Sequence, residues 1–457
     1  MRFLAKLQNS PRDVKILLAS VFLRRASFGI TSQVLTLFLI SVGISKTSVG
    51  IFMTLTLVGD TLISLVLTWY SDLFGRRLVM IMGCVLMVAA GLIFAKALNY
   101  WVLLGAAVVG VISTSGDETG PFKSVEEACL SHAVVHELRA YIFATYGLLG
   151  TLGLAVGSSV CGVLVSYWSE SLLWPLIKCY RTIFVIYAAI GLMKFTLTSL
   201  LSKDCEVNEV HNSETAVSDI NEESQIPPLM ATEQTESDPL IEGDVLEEAS
   251  EEASPTFTGV LSPETRMYLP KLLVVFMLDS FGYGFMPPAW IVYYFRTIYH
   301  ASPASLGTLF FFTNLVDSIS SIASAMTFLL FGPVKAILVA QLPSAAFFAL
   351  IPFWKSYTVA AGFYFLFCAC ATMDVVPRQI LLTQLIPKRD LVRALGLVNI
   401  AKTFARCIGP LFTGRIAEHG HLEIAFYING ACLLLADSIL GFNFAHLDRS
   451  ILRIHGK

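Results

Sequence analysis

Hydrophobic residues run through this chain in long unbroken blocks, and polar residues fall between them as short punctuation. Twelve blocks are long enough to cross a bilayer, which takes about 20 residues at 1.5 Å rise each. They lie at 14–42, 47–70, 77–97, 100–130, 139–167, 179–201, 267–296, 303–331, 334–353, 357–386, 392–416 and 422–445. No segment alternates with a period of two over about ten residues, so the pattern does not read as a β-barrel. The blocks also repeat. A shift of 257 residues lays Ser45, Ser48, Gly50, Asp60, Phe74, Gly75 and Asp117 on Ser302, Ser305, Gly307, Asp317, Phe331, Gly332 and Asp374. Ser27-Phe28-Gly29 meets Ser280-Phe281-Gly282 after a four-residue adjustment. Repeated halves in a membrane protein imply a binding site between them that opens to each side in turn. The expected fold is therefore an all-α membrane protein of twelve transmembrane helices, arranged as two pseudo-symmetric six-helix bundles over 1–201 and 266–457.

Composition agrees with this reading. Charged residues make up 14% of the chain, against roughly 25% in soluble domains, so the molecule belongs in lipid. Short connections rich in Lys and Arg set the orientation. Arg2, Lys6 and Arg12 precede the first helix, Arg76 and Arg77 join helices two and three, and Lys388, Arg389 and Arg393 join ten and eleven. Arg449, Arg453 and Lys457 close the chain. Both termini are expected in the cytosol, with the first helix acting as an uncleaved signal. The nine cysteines form no CxxC pair and mostly sit within apolar blocks, so neither disulfides nor a metal site is expected.

Residues 202–265 depart from the pattern. They hold half of the chain's 34 acidic residues with Lys203 as their only base, and they lack the apolar surface needed to offset chain entropy. A disordered acidic loop is expected there. Within it, Glu236, Leu240 and Ile241 fit an acidic dileucine sorting signal, and Ser250 stands among four glutamates, as acidophilic kinases favour. A sorting adaptor or a kinase is thus a candidate partner, and a plain solvated linker is the alternative. The membrane is expected to be plasma, vacuolar or lysosomal.

Ser71-Asp72-Leu73-Phe74-Gly75-Arg76-Arg77, between helices two and three, resembles the signature loop of the major facilitator superfamily. Asp72, Gly75, Arg76 and Arg77 match it, whereas Thr68 and Leu73 replace a glycine and a basic residue. Pro387 to Arg393-Ala394-Leu395-Gly396, with Gly409-Pro410 and Gly414, looks like the family's tenth loop and eleventh helix, echoed by Glu137-Leu138-Arg139-Ala140. The resemblance implies a cytosolic latch built from Asp72, Gly75, Arg76, Arg77, Arg139 and Arg393, and a central cavity lined by helices 1, 4, 7 and 10. The family's antiporter motif is only partly present at Gly153 to Gly162, so the direction of coupling stays open.

A charge at mid-bilayer costs about 2.5 to 3.5 kcal/mol on insertion scales, so each must be paired or face water. The four cavity helices carry Arg24, Arg25, Asp117, Glu118, Asp279, Asp374 and Arg378, which either bind cargo or form an ion-pair network that aligns the halves. Rise per residue puts Arg24, Arg25 and Asp279 near the midplane, where a contact across the cavity is expected. Asp60 is expected to pair with Lys402 or Arg406. Its repeat twin Asp317 should face helix five near Leu148 and Thr151, where no base is offered. Asp317, with Asp279 second, is the expected proton carrier, and a neutral Asp317 bonded to Ser318 is the bland alternative.

These residues point to a secondary active transporter of a small polar or charged solute, proton-coupled and working by alternating access. Organic anion, zwitterion and cation all remain open as cargo. No catalytic set is visible, so no enzyme is expected, nor any cofactor or nucleic acid; the chain is expected to be a monomer in the lipid bilayer. The alternative is a transporter-like sensor or scaffold that binds a ligand without flux.

Overall fold

The computed structural model describes residues 11–110, 112, 121–134, 136–202 and 262–448. The acidic segment with Glu236, Leu240, Ile241 and Ser250 lies outside the described residues, as do Asp117 and Glu118. The fold is all-α among the described residues, where sixteen helices make up the twelve traverses. Span one is α1 (Arg12–Ser32) with α2 (Leu35–Ser41), span two α3 (Lys46–Phe74), and span three α4 (Arg76–Lys96). Span four is α5 (Tyr100–Val109) with α6 (Pro121–Ala133), span five α7 (His136–Ser166), and span six α8 (Leu176–Ser199). The second bundle repeats the scheme with α9 (Pro263–Phe285) and α10 (Pro288–Ile298), α11 (Pro303–Phe331), and α12 (Pro333–Leu350). It closes with α13 (Tyr357–Ala371) and α14 (Val375–Leu385), α15 (Lys388–Glu418), and α16 (Glu423–Phe444). Among the described residues eight helical stretches are long and apolar enough to span a membrane by themselves, or nine if α11, which is bent, is one span. The other traverses are broken or carry charge, such as Arg24 and Arg25 on α1 and Lys402 and Arg406 on α15.

Spans one, seven and ten are broken within the described residues, and each of these breaks has a local cause. Thr31 and Ser32 bond back to the carbonyls of Ser27 and Gly29 at the end of α1, which competes with helix continuation. Pro287 ends α9 because it has no N–H, and Pro288 is suited to the first turn of α10. In span ten the helix stops after Ala371 and restarts at Val375, with Asp374 as its N-cap. Non-helical backbone at this depth needs partners. They come from α11: Ser324 Oγ donates to the Met373 carbonyl at 2.8 Å and accepts from Val376 N at 3.1 Å, while Ser320 donates to Ala369 O at 2.6 Å.

The 257-residue repeat is visible atom by atom. Ser45 caps α3 by accepting from Ser48 N at 3.2 Å, and Ser302 caps α11 by accepting from Ser305 N at 3.1 Å. Tyr100 donates to Ser48 O at 3.2 Å, and Tyr357 to Ser305 O at 3.1 Å. Gly75 and Gly332 turn the chain with φ of 87° and 82°, a region in which other residues are strained.

Two seams join the bundles, α3 against α15 and α7 against α11. Each depends on a glycine pair. A Cβ on Gly50 would stand 2.8 Å from Gly414 Cα, and one on Gly162 would stand 2.8 Å from Gly307 Cα. At the face away from the termini, Lys46 Nζ donates to Ala417 O at 3.2 Å and Thr47 N to Glu418 Oε2 at 3.1 Å. Glu418 ends α15 and Lys46 begins α3, so each has the wrong sign for its own helix dipole and the right sign for the helix it touches. That face is closed.

At the terminal face, staples hold each bundle to itself. Asp13 accepts from the Ser202 amide at 3.2 Å. Asp448 accepts from Val334 N at 2.8 Å and Lys335 N at 3.0 Å, at the start of α12. Asp390 accepts from Ser262 N at 2.9 Å, Ser262 Oγ at 2.6 Å and Thr265 Oγ1 at 2.8 Å. Ser262 to Thr265 are therefore part of the second bundle, which begins slightly before the expected boundary of 266.

Burial by itself would raise the Asp390 carboxyl, but the donated bonds of Ser262 and Thr265 with the nearby Arg389 charge hold it below its ordinary value. A carboxylate whose value falls on folding adds stability above its unfolded value and loses it as pH drops through the folded one. Asp390→Ala is expected to lower stability by about 1 to 3 kcal/mol at neutral pH, through the buried Ser262 amide left unpaired. The deficit should shrink in thermal melts recorded below about pH 4.

Candidate substrate cavity

Each bundle holds a buried ionic cluster on its inner side. In the first, Glu126 of α6 is fully buried and accepts from Ser20 Oγ, Arg24 Nη2 and Tyr146 OH, each at 2.9 Å. Lys194 Nζ of α8, equally buried, lies 3.1 Å from its other oxygen. Arg24 also donates to Tyr146 OH at 2.8 Å. One carboxylate thus gathers two cations from spans one and six.

The second bundle inverts the count. Arg378 of α14 donates through Nη1 to Asp279 Oδ2 at 2.7 Å and through Nη2 to Asp279 Oδ1 at 3.1 Å, a bidentate pair. Its Nε meets Asp374, which also accepts from Gln341 Nε2 at 2.6 Å. Asp437 of α16, 2% exposed, stands in the electrostatic range of all three. One guanidinium here answers three carboxylates.

The clusters occupy matching places. The Phe94 and Phe184 rings meet tilted with centroids 4.8 Å apart, and those of Phe348 and Phe426 at 4.9 Å in the second bundle. The shift from Phe184 to Phe426 carries Lys194 to within one residue of Asp437.

Between the clusters lie partly exposed groups of both signs. Arg25 packs along α7 at Gly150 and acts electrostatically on Asp317 of α11. Thr151 Oγ1 donates to Ser318 Oγ at 3.2 Å beside it. The Arg406 guanidinium lies 5.6 Å from the Tyr283 ring centroid. Asp60 is 4% exposed and close to Cys407 and Tyr187.

This arrangement, two pseudo-symmetric six-helix repeats around a charged interior, matches a known family over most of its length. The sequence profile of the Major Facilitator Superfamily covers residues 17–237 and 272–450. The chain belongs to the Major Facilitator Superfamily. It is 43% identical over 450 residues, 98% of this chain and 97% of the relative, to an uncharacterized membrane protein of Saccharomyces cerevisiae, YJR124C. Solved structures share the superfamily fold at low identity. A bacterial homolog of the human lysosomal transporter Spinster, inward-facing and unoccupied, aligns with a TM-score of 0.68 at 12% identity, over 94% of this chain and 95% of that one. The peptide transporter POT in complex with sulfate aligns at 0.67 and 14%, over 96% and 95%. The E. coli xylose transporter XylE, inward open, aligns at 0.65 and 13%, over 94% and 95%.

Several sequence expectations are corrected by the coordinates. Arg24 does not meet Asp279 across the cavity, because Glu126 and Arg378 claim them within their own bundles. Glu126 points into its bundle, while Lys123 pairs with Glu127 at 3.9 Å. Lys402 does not serve Asp60; its electrostatic neighbours are Arg378, Asp279 and Asp374. Asp317 is not left without a base, since Arg25 supplies one from span one. Of the superfamily latch residues, Gly75 makes the turn, Arg76 donates to Ala128 O at 3.3 Å and Arg77 to Ser199 O at 2.6 Å at the end of α8. Arg139 lies on α7 and Arg393 is exposed on α15, while the Asp72 side chain is outside the described residues.

Lys194, Gln341 and Asp437 were missed by sequence reasoning. Lys194 and Asp437 lie on spans six and twelve, which were not counted as cavity helices. Their signal was present, since each is a charge inside an apolar block. Glu126→Gln is expected to leave Arg24 and Lys194 mutually exposed in a buried site and to destabilise the protein by about 3 to 5 kcal/mol. Adding Lys194→Met should recover part of the loss, read as the unfolding midpoint of detergent-purified protein.

Proposed function

We propose that this superfamily member is a proton-coupled secondary transporter of a small polar or charged solute, working by alternating access. The observation that carries the reading is the interior between the bundles, where Arg25, Asp317, Asp279, Arg378, Lys402 and Arg406 are all partly exposed while glycine seams close the face away from the termini. A bare charge inside a membrane protein marks a substrate or ion pathway by default. Arg24, Arg25, Asp279, Asp374 and Arg378 are assigned to the cavity wall, with Asp117 and Glu118 of span four as further candidates.

Asp317 is assigned the proton. It stands at the α7–α11 seam, where Arg25 of the opposite bundle attracts its ionised form. Protonation removes that attraction, and rearrangement of the seam changes access. Asp279 is the lesser candidate, because both of its oxygens are held by Arg378. The Lys and Arg residues of the terminal face support a cytosolic placement of both termini, with the acidic segment at 202–265 on the same side.

Proteoliposomes with an internal pH dye test the reading. Addition of solute pools is expected to drive proton flux for one pool, and Asp317→Asn should abolish that flux while leaving the protein folded. Flux that persists unchanged in Asp317→Asn would reject the assignment. Ligand-induced thermal stabilisation without flux from any pool would favour a sensor instead.

A further inference from the structure

Among the described residues, Lys402 is the interior cation for which no counter-charge is found. It sits near the middle of α15, some fourteen residues from the nearer end, roughly 21 Å at 1.5 Å per residue. Its side chain is too short to reach either membrane face from there. Nor does it face lipid. The exposed side of α15 is the apolar stripe Leu397, Ile400, Phe404 and Leu411, whereas Lys402 shares a side with buried Val398, Ala405 and Gly409.

The other interior cations are accounted for. Arg24 and Lys194 meet Glu126, and Arg378 meets Asp279 and Asp374. Arg25 acts on Asp317, and Arg406 lies over Tyr283. Among the described residues Lys402 has no hydrogen bond and no carboxylate within ion-pair distance. The two described acids that act on it, Asp279 and Asp374, are already held by Arg378, whose own charge repels Lys402. Lys402 is nevertheless partly exposed, so a ligand has access to it.

We infer that Lys402 binds the negative group of the cargo, and that the cargo is a small organic anion bearing a carboxylate or phosphate. The ligand supplies the counter-charge that the described chain does not. This deepens the transport reading and rests on it only for where the ligand goes. Binding without flux would sink transport and leave the Lys402 assignment standing, whereas flux of another charge class that ignores Lys402 would do the reverse.

The test uses the purified full chain and thermal shift with four probes: succinate, inorganic phosphate, glycine betaine and choline. Succinate or phosphate is expected to stabilise the wild type. Lys402→Gln should weaken that response by about ten- to a hundredfold in ligand concentration, the loss of one charge-assisted bond, and Lys402→Arg should keep most of it. Stabilisation by betaine or choline alone, or by no probe in a folded sample, would overturn the inference. So would an unchanged anion response in Lys402→Gln. Asp117→Asn or Glu118→Gln in the Lys402→Gln background provides a further check. If either restored the unfolding midpoint lost in Lys402→Gln, the counter-charge would be in the chain and the inference would fail.

Discussion

A charge taken from water into a low-dielectric interior must find an opposite charge, a polar partner or a route back to water, and most of this structure can be read as an answer to that demand. Glu126 is completely buried, yet it receives two cations and two hydroxyls, so no lone pair is left facing apolar side chains. Arg378 plays the reciprocal part with two carboxylates. Because partners for each charge come from different spans, the clusters also tie helices one, four and six to one another, and seven to ten. The hydrophobic effect does not drive helix association within lipid. Polar and ionic contacts of this kind supply part of what replaces it.

The same demand explains where the helices break. A broken helix exposes backbone groups that lipid cannot satisfy, so breaks occur where a neighbouring side chain can answer them. Ser324 does so for span ten, bonding on both sides of the gap at Met373 and Val376. The breaks in spans one and seven fall at equivalent places in the two bundles, which sets irregular backbone beside the charged interior. Packing between bundles follows a different rule. At Gly50 with Gly414, and at Gly162 with Gly307, backbone meets backbone with no side chain between, so these seams are close fits that a single methyl group would wedge apart. Ionic clusters inside the bundles and bare backbone between them give two rigid units with a thin joint.

The helical spans, the duplication and the superfamily were legible in the chain because each rests on local or periodic information. Apolar run length, the recurrence of Ser, Gly and Asp at a fixed shift, and the loop at Asp72 to Arg77 need no knowledge of what packs on what. The break at Pro287-Pro288 was legible too, since proline acts through its own missing N–H. Gln33 and Val34 at the break in span one carry no comparable mark; that break is caused by side chains bonding back to their own helix.

Which charges would be interior was likewise determined by the sequence, because a Lys or Asp inside an apolar block has nowhere else to go. Which charge meets which was decided only by tertiary structure. Helix rotation and depth, set by the packing of whole faces, turned Glu126 inward to Arg24 and Lys194, gave Asp279 to Arg378, and left Lys402 beside a pair already made. A shift of one residue along a helix rotates a side chain by about 100°, and composition cannot resolve that angle. The interior charges were countable from the chain by itself; their pairing, and with it the one left open among the described residues, belongs to the fold.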